Sequence, residues 1–181
     1  MYKLLVASIA FALSMNNCLA SEGEDQAAAF ASLYTSLCFK NLMNLEGLRE
    51  KLRPVPALTP EMAAHFLAGN QGDAWPVPDK RGTFVLALPR GKKFCALYAR
   101  RADTDEAIKL FDALVTHPPA PLIVKKLSDT QRQTPTNGLT RTVSYEWSIQ
   151  NATRKLMFTL TTAPYESAQI QVLGSAAIIS E

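Results

Sequence analysis

Three segments in the C-terminal part of the chain alternate apolar and polar residues. The longest covers residues 139–149, and the same period of two recurs at residues 156–160 and 170–178. Such alternation is typical of β-strands with one buried face and one polar face. Because polar turn residues separate the segments, they predict an antiparallel meander, and other elements must cover its apolar face.

The residues before the meander predict helices and one hairpin. Apolar residues recur there at three- and four-residue spacing, and capping residues or prolines mark the ends. The predicted helices cover residues 26–39, a segment from the cap Asn44 to Pro54, a segment from Thr59 to Gly69, and residues 104–117 behind a capping box of Asp103 and Glu106. The predicted early strands cover residues 83–88, 94–100 and 122–127, whereas residues 70–82 and 128–137 are predicted to be irregular.

Together these elements predict a single α+β domain over residues 21–181. We expect an antiparallel sheet of about five or six strands with the helices packed on one face. The chain has no internal repeat and no second hydrophobic core that would indicate another domain.

The first 20 residues are predicted to be a secretory signal peptide. Lys3 precedes an apolar run at residues 4–15, and the small residues Cys18 and Ala20 then fit a cleavage site after Ala20. The apolar run is shorter than the roughly 20 residues that a membrane-spanning helix needs. The sequence therefore predicts export to the periplasm.

Cys18 leaves a second possibility open, a lipid anchor on this cysteine. A lipoprotein cleavage site has small uncharged residues directly before the cysteine, whereas Asn16 and Asn17 stand there in this chain. The sequence favours export without a lipid anchor.

Two of the three cysteines, Cys38 and Cys95, would stay in the chain after cleavage. An even pair of cysteines in an exported protein predicts a disulfide. It would staple the N-terminal helices to the hairpin, and a loop of this length is worth about 4 kcal/mol in the chain-entropy model. Two free buried thiols are the alternative.

The charge of the chain argues against a nucleic-acid partner. The formal net charge is only +3, and the basic residues form short clusters rather than the basic stripe that nucleic-acid binding needs. A composition of 48% hydrophobic and 19% charged residues is that of a folded globular chain. We expect another protein as the partner, with no nucleic acid and no membrane span.

Residues that carry common enzyme chemistry are sparse. The two histidines, His65 and His117, lie far apart, and no H-E-x-x-H, C-x-x-C, G-x-S-x-G or P-loop spacing occurs. Asp103, Asp105 and Glu106 cluster at a predicted helix start, where they counter the helix dipole. The sequence therefore predicts no catalytic residue, no metal site and no cofactor.

A turn-rich segment at residues 69–75 is the best candidate for a binding surface. It carries a tryptophan, a residue type that dominates protein interfaces, and the predicted hairpin turn adds basic residues nearby. The predicted partner-binding residues are Asn70, Gln71, Asp73, Trp75, Arg90, Lys92 and Lys93. The alternative is that Trp75 folds back over the core beside the disulfide, because exported monomers rarely expose a tryptophan.

Several motifs resemble those of a protein family. They are L-C-F at residues 37–39, F-L-A-G-N-Q-G-D-A-W at residues 66–75 and F-C-A-L-Y-A-R-R at residues 94–101. With the signal peptide, they resemble an uncharacterised family of small exported (lipo)proteins of Gram-negative bacteria, over about residues 29–114. That family is similar in size and export to periplasmic immunity proteins of secreted antibacterial toxins. The resemblance implies no catalytic residue.

Three classes of function follow from these observations. The first is a non-catalytic binding protein of the cell envelope, such as an immunity protein against a toxin that acts in the periplasm. The alternatives are a structural or accessory envelope protein and an enzyme with dispersed catalytic residues.

The cleavage site gives a direct test. We expect the protein purified from the periplasm to begin at Ser21, because Asn16 and Asn17 disfavour processing before Cys18. N-terminal sequencing and intact mass measure this. A lipid-modified Cys18 at the N-terminus would contradict both the cleavage site and the count of two cysteines.

Overall fold

The computed structural model describes residues 14–180, with side chains from Glu22 onward. Most of the predicted signal peptide lies outside the described residues. Within them, no helix is both long enough and apolar enough to cross a bilayer.

A single antiparallel sheet of seven strands forms the centre of the protein, in the order β1-β2-β3-β7-β6-β5-β4. The strands are β1 (Gly72–Asp79), β2 (Gly82–Pro89), β3 (Phe94–Arg100), β4 (Ile123–Thr134), β5 (Gly138–Ser148), β6 (Arg154–Thr162) and β7 (Val172–Ser180). The helices are α1 (Ser14–Leu33), α2 (Leu45–Leu52), α3 (Pro60–Ala64) and α4 (Thr104–Val115). The predicted α+β class and the predicted meander are confirmed, with β5, β6 and β7 forming the meander.

The sheet has one strand more than the segments predicted because β1, which was expected to be irregular, lies on one edge, and the predicted strand β4 on the other edge is longer than expected. β1 contains Pro76 and Pro78 but pairs with β2 alone, and an edge strand tolerates prolines because its outer N–H groups need no partner. β4 continues through the polar residues 128–134 because its backbone pairs with β5 regardless of side-chain polarity. Its register shifts between Lys126 and Ser128.

The three longer helices cover one face of the sheet, and the short α3 lies against the other. Alternate residues of β2 explain this: Phe84 and Leu86 belong to the main core with α1 and α4, whereas Val85 belongs to a smaller cluster with Leu67. A strand that is apolar on both faces must be covered on both. The predicted packing of helices on one face therefore holds for α1, α2 and α4.

α1 crosses the middle of the sheet and ends in a π-helical turn, Tyr34–Phe39. The Tyr34 hydroxyl donates to the Ser175 carbonyl oxygen at 2.7 Å, and burial raises the pKa of this phenol far above its usual range. A Cβ at Gly174 would stand 2.8 Å from the Phe30 ring. The helix therefore approaches β7 so closely that only glycine fits beneath it.

The predicted disulfide is present. Cys38, in the π-helical turn, is bonded to Cys95 on β3 over a sequence separation of 57 residues, with a Cα–Cα distance of 5.4 Å. Both cysteines are fully buried. The bond fastens the end of α1 to the centre of the sheet.

α4 begins and ends as its sequence predicts, within two residues. The Asp103 side chain accepts a hydrogen bond from the Glu106 backbone N–H at 2.7 Å, which caps the helix. At the other end, the Trp147 indole N–H donates to the Val115 carbonyl oxygen at 2.6 Å. Because that carbonyl has no partner within the helix, this bond both terminates α4 and fixes it to β5.

We expect the Cys38→Ala/Cys95→Ala double variant to lose about 4 kcal/mol of unfolding free energy, because the bond closes a long loop in the unfolded chain. Urea denaturation of both proteins measures the difference. As a control, alkylation of the native protein without reductant should label neither cysteine. Labelling of both, or an unchanged unfolding free energy, would contradict the expectation.

Candidate functional site

Six of the predicted partner-binding residues meet at one end of strands β1, β2 and β3. We call this set the hairpin surface: Asn70, Gln71, Asp73, Arg90, Lys92 and Lys93. The Lys92 ammonium donates to the Asn70 side-chain oxygen at 2.6 Å, and the Arg90 backbone N–H donates to the Gln71 carbonyl oxygen at 2.7 Å. These bonds join the segment before β1 to the β2–β3 turn.

Asp73 is the electrostatic centre of the hairpin surface. Its carboxylate bonds to the Arg49 guanidinium and lies 3.4 Å from the Arg90 guanidinium. Arg49 also donates to the Leu88 carbonyl oxygen at 3.1 Å, and Glu46 lies 3.4 Å from its Nε. The Arg49 side chain is only 16% exposed, so it holds Asp73 from beneath while Arg90 approaches it from solvent.

Sequence reasoning missed Arg49. In the sequence it reads as one member of an i, i+3 ion pair with Glu46 on an exposed helix face. Its role depends on where α2 lies relative to β1, and no local pattern carries that information. A basic residue on an amphipathic helix, 24 residues before an aspartate, is too common to single out.

A cavity of about 320 Å³ opens between α3 and the start of β1. Its lining is apolar on the α3 side and polar where it meets the hairpin surface. The lining residues are Leu58, Pro60, Ala63, Ala64, Leu67, Asn70, Gln71, Gly72, Asp73 and Arg90. The cavity thus combines an apolar floor with a polar rim, the usual arrangement of a binding pocket.

Close backbone contacts hold the cavity in shape. A Cβ at Gly72 would stand 2.5 Å from the Leu88 carbonyl oxygen, so this position requires glycine. The Leu58 backbone N–H donates to the Ala74 carbonyl oxygen at 2.8 Å, which occupies part of the free edge of β1. The rim is therefore built on a backbone that has little freedom to move.

α3 is shorter than predicted. It ends at Ala64 rather than near Gly69, and the residues after it form turns in which Ala68 and Gly69 have positive φ angles of 47° and 77°. Below these turns the Tyr98 hydroxyl donates to the Phe66 carbonyl oxygen at 2.8 Å, and burial raises the pKa of Tyr98. This bond replaces the helical hydrogen bonds that the turn lacks.

Trp75 does not belong to the hairpin surface. It lies on β1 with 5% of its surface exposed, and it packs in the same core cluster as Cys38 and Cys95. Asp73 and Trp75 are two residues apart in β1 and so point to the same side of the strand, but only Asp73 lies at the rim of the cavity. The prediction that Trp75 contacts a partner is therefore corrected, and the alternative of packing over the core is confirmed.

The histidines and carboxylates singled out in the sequence have structural surroundings. His65 is exposed directly after α3, and the His117 ring nitrogen lies 3.4 Å from the Ala113 carbonyl oxygen at the end of α4. Asp103 is the cap of α4. Among the residues with described side chains, no three histidine, cysteine or carboxylate groups cluster as metal ligands would.

Comparison of the chain with protein-family models, curated proteins and solved structures finds no match. The resemblance to small exported proteins therefore stays a prediction.

The core position of Trp75 can be tested by comparing the stability of a Trp75 variant with that of a surface variant. We expect Trp75→Ala to lower the unfolding free energy by about 3–5 kcal/mol, because truncation leaves a cavity in the core. Urea denaturation measures it, with Lys93→Ala as the surface control, which should change stability by less than about 0.5 kcal/mol. Equal stability of Trp75→Ala and the unmodified protein would contradict the core position.

Proposed function

We propose that the protein is a non-catalytic binding protein of the periplasm that holds a partner protein through the hairpin surface and its cavity. One observation carries this proposal: a cavity of about 320 Å³ with an apolar side along α3 is bordered by polar side chains that are already bonded to one another. A rim fixed before binding loses little conformational entropy when the partner arrives.

The chemistry of the surface describes the partner. Arg90, Lys92 and Lys93 are exposed and positively charged, whereas Asp73 is paired with two guanidinium groups. The apolar floor suits one apolar side chain. We therefore propose a partner loop that inserts an apolar side chain into the cavity and places acidic residues against the basic rim.

The arrangement favours binding over turnover. The titratable residues in the cavity wall are Asp73 and Arg90. They form an ion pair with each other, and Asp73 also binds the Arg49 guanidinium. A general acid or base must instead reach the reacting atom of a substrate. The surface thus supports recognition of shape and charge.

The proposed location rests on the disulfide and the signal peptide. Disulfides persist in oxidising compartments such as the periplasm, and Cys38–Cys95 supports the core directly. Within this compartment, we propose that the partner is a toxin whose active surface the protein covers, as immunity proteins do.

Charge reversal tests the proposal. We expect Lys92→Glu to abolish capture of the partner from a periplasmic extract, because it places a carboxylate at the rim and breaks the bond to Asn70. Capture is measured by affinity purification and quantitative mass spectrometry, followed by titration with the captured protein to obtain its Kd. Ala64→Phe, which fills the cavity without changing charge, should also raise the Kd by about tenfold or more.

Arg132→Glu is the matched control, since Arg132 is an exposed residue on β4 at the far edge of the sheet. This variant should capture the partner as the unmodified protein does. Equal capture by Lys92→Glu, Ala64→Phe and Arg132→Glu would show that the hairpin surface is not the binding site.

A further inference from the structure

A second and larger cavity lies at the opposite end of strands β1 to β3 from the hairpin surface. Its volume is about 510 Å³, within the range of small-molecule sites. It is formed where the first described side chains of α1 meet the β1–β2 turn and the end of β3. Four of its lining residues are cationic: Lys80, Arg81, Arg100 and Arg101.

Three of the four cations are available to a ligand. The Arg81 guanidinium is held by both oxygens of Asp79, at 2.9 and 2.8 Å. Lys80, Arg100 and Arg101 are exposed, and their side chains make no hydrogen bond or ion pair with any residue whose side chain is described. Glu22 in the wall, Asp25 nearby and Asp79, which interacts with Lys80 as well as Arg81, partly offset the positive charge of the cavity.

A buried and unsatisfied acceptor stands in the same wall. Gln26 is only 4% exposed, and its side-chain oxygen accepts no hydrogen bond from the described part of the chain. Its amide nitrogen donates to the Glu22 carboxylate at 3.3 Å, so the reverse amide orientation would place two oxygens against each other. Gln26 therefore keeps its oxygen without a donor, which is unfavourable in a buried position unless a ligand supplies one.

The backbone conformation of Arg101 is a third observation that indicates a binding site at this cavity. Arg101 has a φ angle of 66°, a conformation that arginine rarely adopts. Its N–H donates at 2.9 Å to the side chain of Gln171, which is itself buried and donates to three carbonyl oxygens. Backbone strain that a buried side chain holds in place is typical of functional sites, and here it directs an arginine to the end of β3 beside the cavity.

We infer that this cavity binds a small phosphorylated compound that also carries hydroxyl or amide groups. A phosphate monoester bears a charge close to −2, which suits three cationic side chains better than a single carboxylate does. Arginine binds two oxygens of such a group in parallel hydrogen bonds. The oxygen of Gln26 is itself buried, so a neighbouring hydroxyl or amide N–H donates to it when the Gln26 side chain turns toward the cavity that it lines. A sugar phosphate and a phosphorylated lipid headgroup share this chemistry.

Titration calorimetry on the protein purified from the periplasm tests the inference, with glucose 6-phosphate, inorganic phosphate and glucose as probes. We expect glucose 6-phosphate to bind at least about tenfold more tightly than inorganic phosphate, because only the sugar phosphate reaches Gln26. Cosedimentation with phosphatidylcholine vesicles containing phosphatidylinositol 4-phosphate, whose headgroup carries both a phosphate monoester and hydroxyl groups, tests the lipid source. Binding in the soluble arm or the vesicle arm supports the inference and identifies the source, and absence of binding in both overturns it.

Variants link the binding to the cavity. Arg101→Asn removes the charge while retaining a residue type that tolerates positive φ, and it should weaken binding by about tenfold. Gln26→Leu should weaken sugar phosphate binding, leave inorganic phosphate binding unchanged and raise the melting temperature, because it removes the unsatisfied oxygen. Lys93→Gln, on the hairpin surface, is the matched control and should bind normally.

Circular dichroism confirms that each variant is folded before it is titrated. Unchanged affinity in both Arg101→Asn and an Arg100→Gln/Lys80→Gln variant would overturn the site. Because these residues lie away from the hairpin surface, capture of the partner protein should be unaffected, so that failure of this inference is distinguishable from failure of the proposed function.

Discussion

Much of the structure depends on the contact of α1 and its π-helical turn with β3 and β7, the two strands at the centre of the sheet. β3 and β7 are neighbours in the sheet but belong to different halves of the chain, the early hairpins and the later meander. α1 and the π-helical turn that follows it cover both strands, and in this turn Tyr34 is bonded to β7 and Cys38 to β3. The hydrophobic contact brings the two halves together, and the disulfide fixes the end of the helix to β3 within the earlier half.

Because this contact holds the two halves of the sheet together, the halves can differ in how fully their faces are covered. The sheet is covered on both faces at β2 and β3 but mainly on one face at β5 and β6, where Thr142 and Thr161 share a hydrogen bond at 3.0 Å on the other face. Hydroxyl groups that bond across strands satisfy one another in water or at a partly covered surface. The half of the sheet formed by β1 to β3 is therefore densely buried and carries the two cavities described above, whereas the half formed by β4 to β6 is more solvated.

Local signals made the helices and the meander predictable. Asn44 and Asp103 cap α2 and α4 through the bonds that their residue types favour. In β5 the predicted apolar positions Val143, Tyr145 and Trp147 are buried, whereas Leu139 is only half-buried. The edge strands could not be predicted in the same way, because prolines in β1 and polar residues in β4 suppress the strand pattern that backbone pairing nevertheless permits. The sequence also indicated that the residues of the hairpin surface lie close together. The roles of Arg49 and of the cavity wall at Gln26 could not be predicted, because they depend on contacts between elements distant in sequence.

The exposed strand β4 has a consequence for how copies of the chain meet. A free edge of twelve residues offers unpaired backbone groups on which another chain could add a strand. The register shift between Lys126 and Ser128 interrupts that edge. Asp129 beside it is bound by Arg141 and Lys126, which hold the pKa of its carboxyl far below the usual range. The Asp129 carboxylate and both cationic side chains therefore stay charged even in mildly acidic surroundings. The edge strand of a second molecule would meet an irregular backbone and these charged side chains, which disfavours aggregation through strand pairing.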